Sequence, residues 1–260
     1  MRFGHDVGVA ILSCRPLVLW LLGYPDKALL ETHRALDAAR ETGHIPTLLF
    51  GLIFNAHTHI CCRVHAAAAT HLEESIALAQ EKIPLMKHMA AGHLGCVLAE
   101  TGKASEAINT INAAIAGMHA IGATVWTGSW ISRLALAYAQ LEKIDDAWRC
   151  IGEAITAIES SKERWHEAEV NRIAGEIALV SPESDAAKAE AYFERALVVA
   201  REQQAKSLEL RAAMSIARLW RDLNKRDEAR ELLAPVYSWF TEGFDTLDLK
   251  EAKTLLATLA

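Results

Sequence analysis

The stretch AEAYFERALVVA, residues 189–200, decides the fold, because its Ala189, Phe193 and Ala196 are spaced by four and three residues. This spacing places the three side chains on one face of an α-helix. The triplet recurs, with substitutions, in five other copies, which begin at Ala28, Ala68, Ala107, Ala147 and Ala229. Successive copies begin 40, 39, 40, 42 and 40 residues apart, and a period this regular predicts a repeat array.

A small residue precedes most copies of the triplet by about one helix length. It lies twelve residues before the leading alanine at Ala56, Gly95, Ala135 and Ala217, and fourteen before it at Gly175. A polar turn, such as TGKASEA or NKRDEA, lies between the two features. Each unit is therefore predicted to be a helical hairpin whose small residues let two helices cross closely.

The repeat register predicts a single all-α domain over residues 1–260, an α-solenoid of six hairpins with a C-terminal capping helix. No alternating β-branched run indicates a strand. The predicted hairpins cover residues 5–42, 45–82, 84–121, 125–160, 166–203 and 206–240, and the terminal helix covers 246–259.

The triplet and its upstream small residue resemble the tetratricopeptide repeat, although the period here is near 40 residues rather than the usual length of about 34. Residues 203–256, together with GHDVGVAILS (4–13) and ERWHEAEVNRIAGEI (163–177), also resemble the C-terminal part of a bacterial family of multidomain regulators. In that family a class III adenylate/guanylate cyclase or other regulatory domain is followed by an AAA-type ATPase and helical repeats. The resemblance implies a regulatory helical array. It does not imply cyclase or ATPase activity here, since the chain has no GxxxxGK[ST] loop.

Composition restricts the partners and the compartment. The net charge of −6 argues against nucleic acid, which requires a basic face. The five cysteines form no CxxC pattern, which indicates reduced thiols in a cytoplasm. The most apolar stretch is interrupted by Arg15 and Pro16 and is too short to span a bilayer, so no membrane association is expected.

Two clusters of side chains are candidates for metal binding or catalysis. His57, Cys61 and His65 share a helix face and suit a metal, with Cys96 as a further ligand, but half-buried packing is the favoured interpretation. Glu169 and Glu176 flank Arg172 at spacings typical of an ion-paired stripe rather than of paired catalytic acids. We therefore expect no enzyme activity, no bound metal and no cofactor.

The first helix of each hairpin lines the inner wall of a tetratricopeptide superhelix, and counting from the small residues gives the side chains on that wall. The wall is expected to be apolar at one end and charged at the other, which suits a peptide with a hydrophobic head and an acidic tail. A solvated wall, or one packed on a neighbouring domain, is the alternative. The candidate binding residues are Phe50, Ile53, His57, Met89, Ser129, Ser132, Glu169, Arg172, Glu176, Arg211, Arg218 and Arg221.

The function predicted from these features is a non-catalytic scaffold that binds a protein or peptide, within a signalling protein. The alternative is a small-ligand sensor that regulates linked cyclase or ATPase domains. A scaffold predicts an open groove, whereas a sensor predicts a closed, largely apolar pocket of about 300–1,000 Å³.

The two ends of the array differ in polarity. The terminal helix is expected to expose Asp248, Lys250, Glu251 and Lys253. The first helix is apolar nearly all round, which is typical of a covered element. We expect preceding repeats, or a second copy of the chain in a homodimer, to cover residues near 8–22.

Overall fold

The computed structural model describes residues 4–80, 82–181 and 185–259, and these fold into a succession of helical hairpins without a β-strand among them. Positions 1–3, 81, 182–184 and 260 of the predicted array lie outside the described residues. No described helix is long and apolar enough to cross a membrane. The helices are α1 (Val7–Leu21), α2 (Pro25–Glu41), α3 (Ile45–Cys61), α4 (His65–Ala79), α5 (Pro84–Glu100), α6 (Ala104–Ala120), α7 (Thr127–Gln140), α8 (Ile144–Ser161), α9 (Glu167–Val180), α10 (Ala186–Glu202), α11 (Lys206–Asp222), α12 (Arg226–Ser238) and α13 (Leu247–Thr258), and a 3₁₀ turn covers Arg164–His166.

The seam inside each hairpin is built from the recurring small residues. The six leading alanines are fully buried. A Cβ added to Gly95 would lie 2.4 Å from Cγ1 of Ile111, and one added to Gly175 would lie 2.4 Å from Cε1 of Phe193. The large residue of each triplet therefore fills the space that the small residue leaves, and this close contact fixes the register of the two helices.

In five of the hairpins the chain reverses between the two helices through a residue in the left-handed region, which ends the first helix. Glycine takes this place in two hairpins, with φ of +87° at Gly23 and +79° at Gly102. Arg63, Glu142 and Asn224 take it in three others, with φ of +60°, +58° and +63°. Because these turns are short, the paired helices remain antiparallel neighbours.

Successive hairpins stack so that their first helices form an inner wall. Helices α1, α3, α5, α7, α9 and α11 contact one another in that order, and α13 packs on α11. One buried apolar cluster runs from Ile53 to Ile177, and a second runs from Ala178 to Leu259. The space that these first helices and α13 enclose is called the central channel below.

The two ends of the array meet. Ser207 Oγ on α11 donates to the backbone oxygen of Trp20 on α1, and the guanidinium of Arg211 lies 5.0 Å from the Trp20 ring centre. The amide of Gly243 donates to the Asp26 carboxylate at 2.8 Å. We call this contact between α1–α2 and α11–α13 the closing seam, and it turns the solenoid into a ring.

The closing seam explains why one face of α1 is apolar. Trp20 is buried against the C-terminal end of the same chain, so that one face of α1 is covered internally rather than by preceding repeats or a second copy. The opposite face remains open, since Val7, Ile11, Val18 and Leu22 are 48%, 65%, 51% and 40% exposed. A homodimer through this second face stays a prediction.

The terminal helix α13 differs from the expectation in one respect. It turns Leu249, Ala252 and Leu255 into the core, but Asp248 and Glu251 face the channel instead of solvent. The ring brings arginines of α11 and the α3–α4 turn within reach of these carboxylates. An unpaired end would have left them solvated.

Candidate functional site

The central channel contains two adjoining spaces. The first, the charged pocket, is a space of about 210 Å³ between the inner helices and α13. The second, the deep cavity, has about 20 Å³ and lies farther inside. Arg133, Glu169 and Arg211 line both spaces. The charged residues of the charged pocket are Arg63, Arg133, Arg172, Arg211, Arg218, Glu100, Glu169, Glu176, Asp248 and Glu251.

Ion pairs join the middle hairpins around the charged pocket. Arg133 on α7 donates to Glu100 on α5 at 2.8 Å and lies 3.5 Å from Glu169 on α9. Arg172 holds Glu169 through two hydrogen bonds of 2.8 Å and also contacts Glu176. The predicted stripe of Glu169, Arg172 and Glu176 is therefore an ion-paired cluster on the inner wall.

Ion pairs also join the α3–α4 turn and α11 to the terminal helix α13. Arg63, in the turn after α3, lies 3.3 Å from Asp248 and 2.8 Å from Glu251 of α13. Arg211 donates to Asp248 at 2.8 Å and to the backbone oxygen of Cys61 at 2.6 Å. Arg218 pairs with Glu251 at 2.9 Å. Every hairpin from the second to the sixth thus contributes a charge to the charged pocket, where the ion pairs form two groups, one on the middle hairpins and one between the α3–α4 turn, α11 and α13.

Burial makes these charges dependent on their partners. Burial alone would raise the pKa of the Glu169 carboxyl, but the charges of Arg172 and Arg133 and the hydrogen bonds from Arg172 hold it well below its usual range. Burial would likewise lower the pKa of Arg172, yet Glu169 and Glu176 raise it. The five arginines balance the five carboxylates, so the pocket presents both signs of charge and no large excess of either.

The deep cavity has histidine and tryptophan walls. The His57 ring centre lies 5.0 Å from that of His93, 4.6 Å from Trp126 and 5.2 Å from Trp165. Burial lowers the pKa of His93 to about 4, although its hydrogen bond to the Met89 carbonyl works the other way. These imidazoles are therefore neutral near pH 7.

The cluster of His57, Cys61 and His65 divides between two environments. The Nε2 atom of His57 lies 3.5 Å from Sγ of Cys61, but His65 turns away to Glu100, with its Nε2 2.9 Å from a carboxylate oxygen. Within residues 4–80, 82–181 and 185–259, no three His, Cys, Asp or Glu side chains are placed to hold a metal ion. The absence of stoichiometric zinc remains a prediction for elemental analysis.

The contact between His57 and Cys61 does not activate the cysteine as a nucleophile. Burial raises the pKa of the Cys61 thiol to about 12, because a thiolate would lose its solvation there. Catalytic cysteines have the opposite shift, since the thiolate is the reactive form. This pair is suited to packing and weak hydrogen bonding.

The structure brings some of the sequence-predicted residues together and separates others. His57 and Ser129 line the deep cavity, Glu169 and Arg211 line both spaces, and Arg172, Glu176 and Arg218 line the charged pocket. The other five do not line either space: Phe50, Ile53, Met89, Ser132 and Arg221.

Three of the predicted wall residues are buried by packing against neighbouring helices. Ile53, Met89 and Ser132 are buried between helices, so they offer no surface to a partner. Phe50 stacks on Phe54 with ring centres 4.2 Å apart. Ile53, Met89 and Ser132 are therefore core residues, whereas Phe50 is half-buried and its contact with a partner stays a prediction. Arg221 pairs with the adjacent Asp222 at the end of α11, outside the pocket.

Sequence reasoning missed a neighbouring strip of the inner wall. His93 and Arg133 lie two residues before the small residue of their units, and Glu100 and Gln140 lie five after it. These positions are seven residues apart and so share a helix face with the wall. A prediction that included a wider strip of each helix would have found these four residues. Asp248 and Glu251 could not be found in this way, because their place in the pocket depends on the closure of the ring.

Comparison with solved structures shows the same fold. The apo form of RapI aligns with a TM-score of 0.64 at 11% identity, over 97% of this chain and 85% of that one. A Rap protein complexed with Competence and Sporulation Factor aligns with a TM-score of 0.64 at 16% identity, over 97% and 65%. BtubC (BKLC) from P. vanneervenii aligns with a TM-score of 0.57 at 15% identity, over 81% and 89%.

These likenesses confirm the prediction of an all-α solenoid of tetratricopeptide-like hairpins. At 11–16% identity they show the fold alone. No family model and no curated protein sequence matches the chain.

Proposed function

We propose that this chain is a non-catalytic regulatory scaffold that binds a segment of a protein or peptide partner in the charged pocket. The observation that carries the proposal is the set of five arginines and five carboxylates, contributed by successive hairpins and the terminal helix, that lines one open space. A segment with both acidic and basic side chains can form ion pairs with these arginines and carboxylates in place of the existing pairs. Charge-assisted hydrogen bonds then select its register.

Size and polarity favour a segment over a drug-sized ligand. A closed apolar pocket of about 300–1,000 Å³ is typical of small-molecule sites. The charged pocket is polar and has about 210 Å³, and the deep cavity has about 20 Å³, so neither reaches that size. The small-ligand sensor is therefore the second candidate, and the buried histidine and tryptophan walls of the deep cavity are what favour it.

The context of the scaffold is also part of the proposal. The resemblance of residues 203–256 to the C-terminal part of cyclase and ATPase regulators supports a role in signalling. The five cysteines form no disulfide, which fits a cytoplasmic location. A balanced pocket on a chain of net charge −6 does not suit nucleic acid. The Rap protein solved with Competence and Sporulation Factor supports partner binding by arrays of this fold.

Selection of random octapeptides on the immobilised full chain tests the proposal. We expect enriched sequences that carry both acidic and basic residues, and affinities that fall as salt increases. The double substitution Arg218→Gln with Glu176→Gln at the pocket rim should weaken binding about fivefold, the scale of exposed ion pairs.

The matched control is Arg149→Gln with Glu153→Gln, which removes an exposed pair of 2.8 Å on the outer helix α8. This control should leave binding unchanged. Absence of any enriched peptide, or equal losses in the two double variants, would contradict binding in the charged pocket.

A further inference from the structure

The deep cavity contains buried polar atoms that lack partners. His57 Nδ1, His93 Nε2 and both ring nitrogens of His166 make no hydrogen bond within the described part of the chain. The three side chains are 6%, 1% and 2% exposed, and all three line the deep cavity. Buried polar groups in folded proteins are nearly always satisfied, so an occupant is expected there.

The hydrogen bonds of these rings fix what the occupant must offer. His93 Nδ1 lies 2.8 Å from the Met89 carbonyl oxygen, which can only accept, so Nδ1 carries the hydrogen and Nε2 is an acceptor. A neutral His166 has one donor and one acceptor, whichever tautomer it adopts. The occupant must therefore donate at least one hydrogen bond and accept another.

Charge excludes ionic occupants. A carboxylate offers only lone pairs and would face the lone pair of His93 Nε2. The nearby Arg133 and Arg211 are already held by Glu100, Glu169 and Asp248. An ammonium group would need a buried counterion, and Glu169 is committed to Arg172. A neutral group that donates and accepts satisfies the rings without displacing an ion pair.

Volume restricts the neutral groups to small ones. The deep cavity measures about 20 Å³, which suits a water molecule or a hydroxyl group. The cavity adjoins the charged pocket through shared walls at Arg133, Glu169 and Arg211. A short side chain of a segment bound in the charged pocket would enter the deep cavity by passing between these three residues.

We propose that the deep cavity is a subsite for a neutral hydroxyl group of the bound segment, of the kind that serine and threonine carry. This inference rests on the proposed function, because it takes the charged pocket as the place where the segment lies. Water fills the subsite when no segment is bound, and the hydroxyl takes over its hydrogen bonds.

The octapeptide selection tests this proposal through a second readout. We expect one position of the enriched sequences to hold serine or threonine, next to charged residues. Replacement of that serine by alanine in a synthetic octapeptide should weaken binding to the wild-type chain about tenfold, since buried imidazoles lose their partner.

The variants His93→Gln and His166→Phe assign the effect to the cavity. His93→Gln retains an acceptor and should keep the serine preference, whereas His166→Phe removes both polar atoms and should reduce the serine-to-alanine difference below about threefold. The wild-type comparison decides the question even if a variant does not fold.

The outcomes separate the two proposals. Enriched peptides without a hydroxyl preference would overturn the subsite and show that the cavity holds water only, while the charged pocket would remain a binding site. Absence of any enriched peptide would overturn the proposed function and this inference with it.

Discussion

Gly243 lies at the closing seam and offers a direct test of ring closure. Its φ is +81°, and a Cβ added to it would lie 2.2 Å from Cγ of Pro25 and 3.2 Å from Cδ1 of Leu249. The variant Gly243→Ala must therefore separate α13 from α2 or distort both. Gly102 is the matched control, because its φ is +79° and nothing lies within 4 Å of its added Cβ.

Both substitutions introduce backbone strain, but only one of them also introduces a steric clash. Each places alanine in the left-handed region, at about 1–2 kcal/mol. Only Gly243→Ala also meets a rigid proline ring more than 1 Å inside contact distance, and overpacking of this kind costs about 1–3 kcal/mol. We expect Gly243→Ala to lower the free energy of unfolding by about 2–5 kcal/mol, against about 1–2 kcal/mol for Gly102→Ala.

Urea denaturation followed by circular dichroism measures both values, and small-angle X-ray scattering reports whether the ring opens. The radius of gyration should increase for Gly243→Ala and stay constant for Gly102→Ala. Equal losses of stability with unchanged scattering would refute the closing seam as a packed contact, since only φ would then matter.

Three further predictions concern the hairpin seam, the buried imidazoles and the open face of α1. Gly95→Ala should destabilise the chain by about 1–2 kcal/mol net, because the clash with Ile111 outweighs better helix propensity. In the same urea series Gly152→Ala, which meets nothing within 4 Å, should stabilise it by about 0.5–1 kcal/mol. Burial lowers the pKa of His93 to about 4, whereas a histidine of the unfolded chain has a pKa near 6.5. As the pH falls from about 6.5 to about 4, the unfolded chain therefore binds a proton that the folded chain does not, and the free energy of unfolding decreases. His93→Gln should reduce this decline by about 1 kcal/mol per pH unit on average, when free energies of unfolding from urea series are compared from pH 7 to 5, and an unchanged slope would contradict the assignment. Light scattering should find a dimer at tens of micromolar that Ile11→Glu dissociates, and a monomeric wild-type chain would count against that face as an interface.

The repeat pattern was enough to predict the hairpins and their seams. The triplet at Ala189, Phe193 and Ala196 depends only on contacts between the two helices of a hairpin, and the matching residues are buried in every unit. The same periodicity placed Glu169 and Arg172 on the inner wall, where they lie. Patterns of this kind report which face of a helix is used, because that depends on spacing alone.

Ring closure could not be predicted in the same way. The contact of Ser207 with Trp20 depends on the small rotation added at each of the stacked hairpins, and no spacing encodes that sum. For this reason Asp248 was expected in solvent and was found paired with Arg63 and Arg211. Ile53 and Met89 were expected on the open wall for a different reason: contacts with neighbouring helices bury both side chains, and the spacing of the small residues does not indicate how far those contacts extend.

The closing seam also limits how this array can vary in length. An open solenoid can gain or lose a hairpin, because each unit contacts only its neighbours. Here an added or deleted period of 40 residues would carry Trp20 away from Ser207 and Asp26 away from Gly243. The number of hairpins is therefore fixed by geometry, and neither end can fray without breaking contacts made by the other. Circular permutation at a loop between hairpins should be tolerated better than any change in the hairpin number.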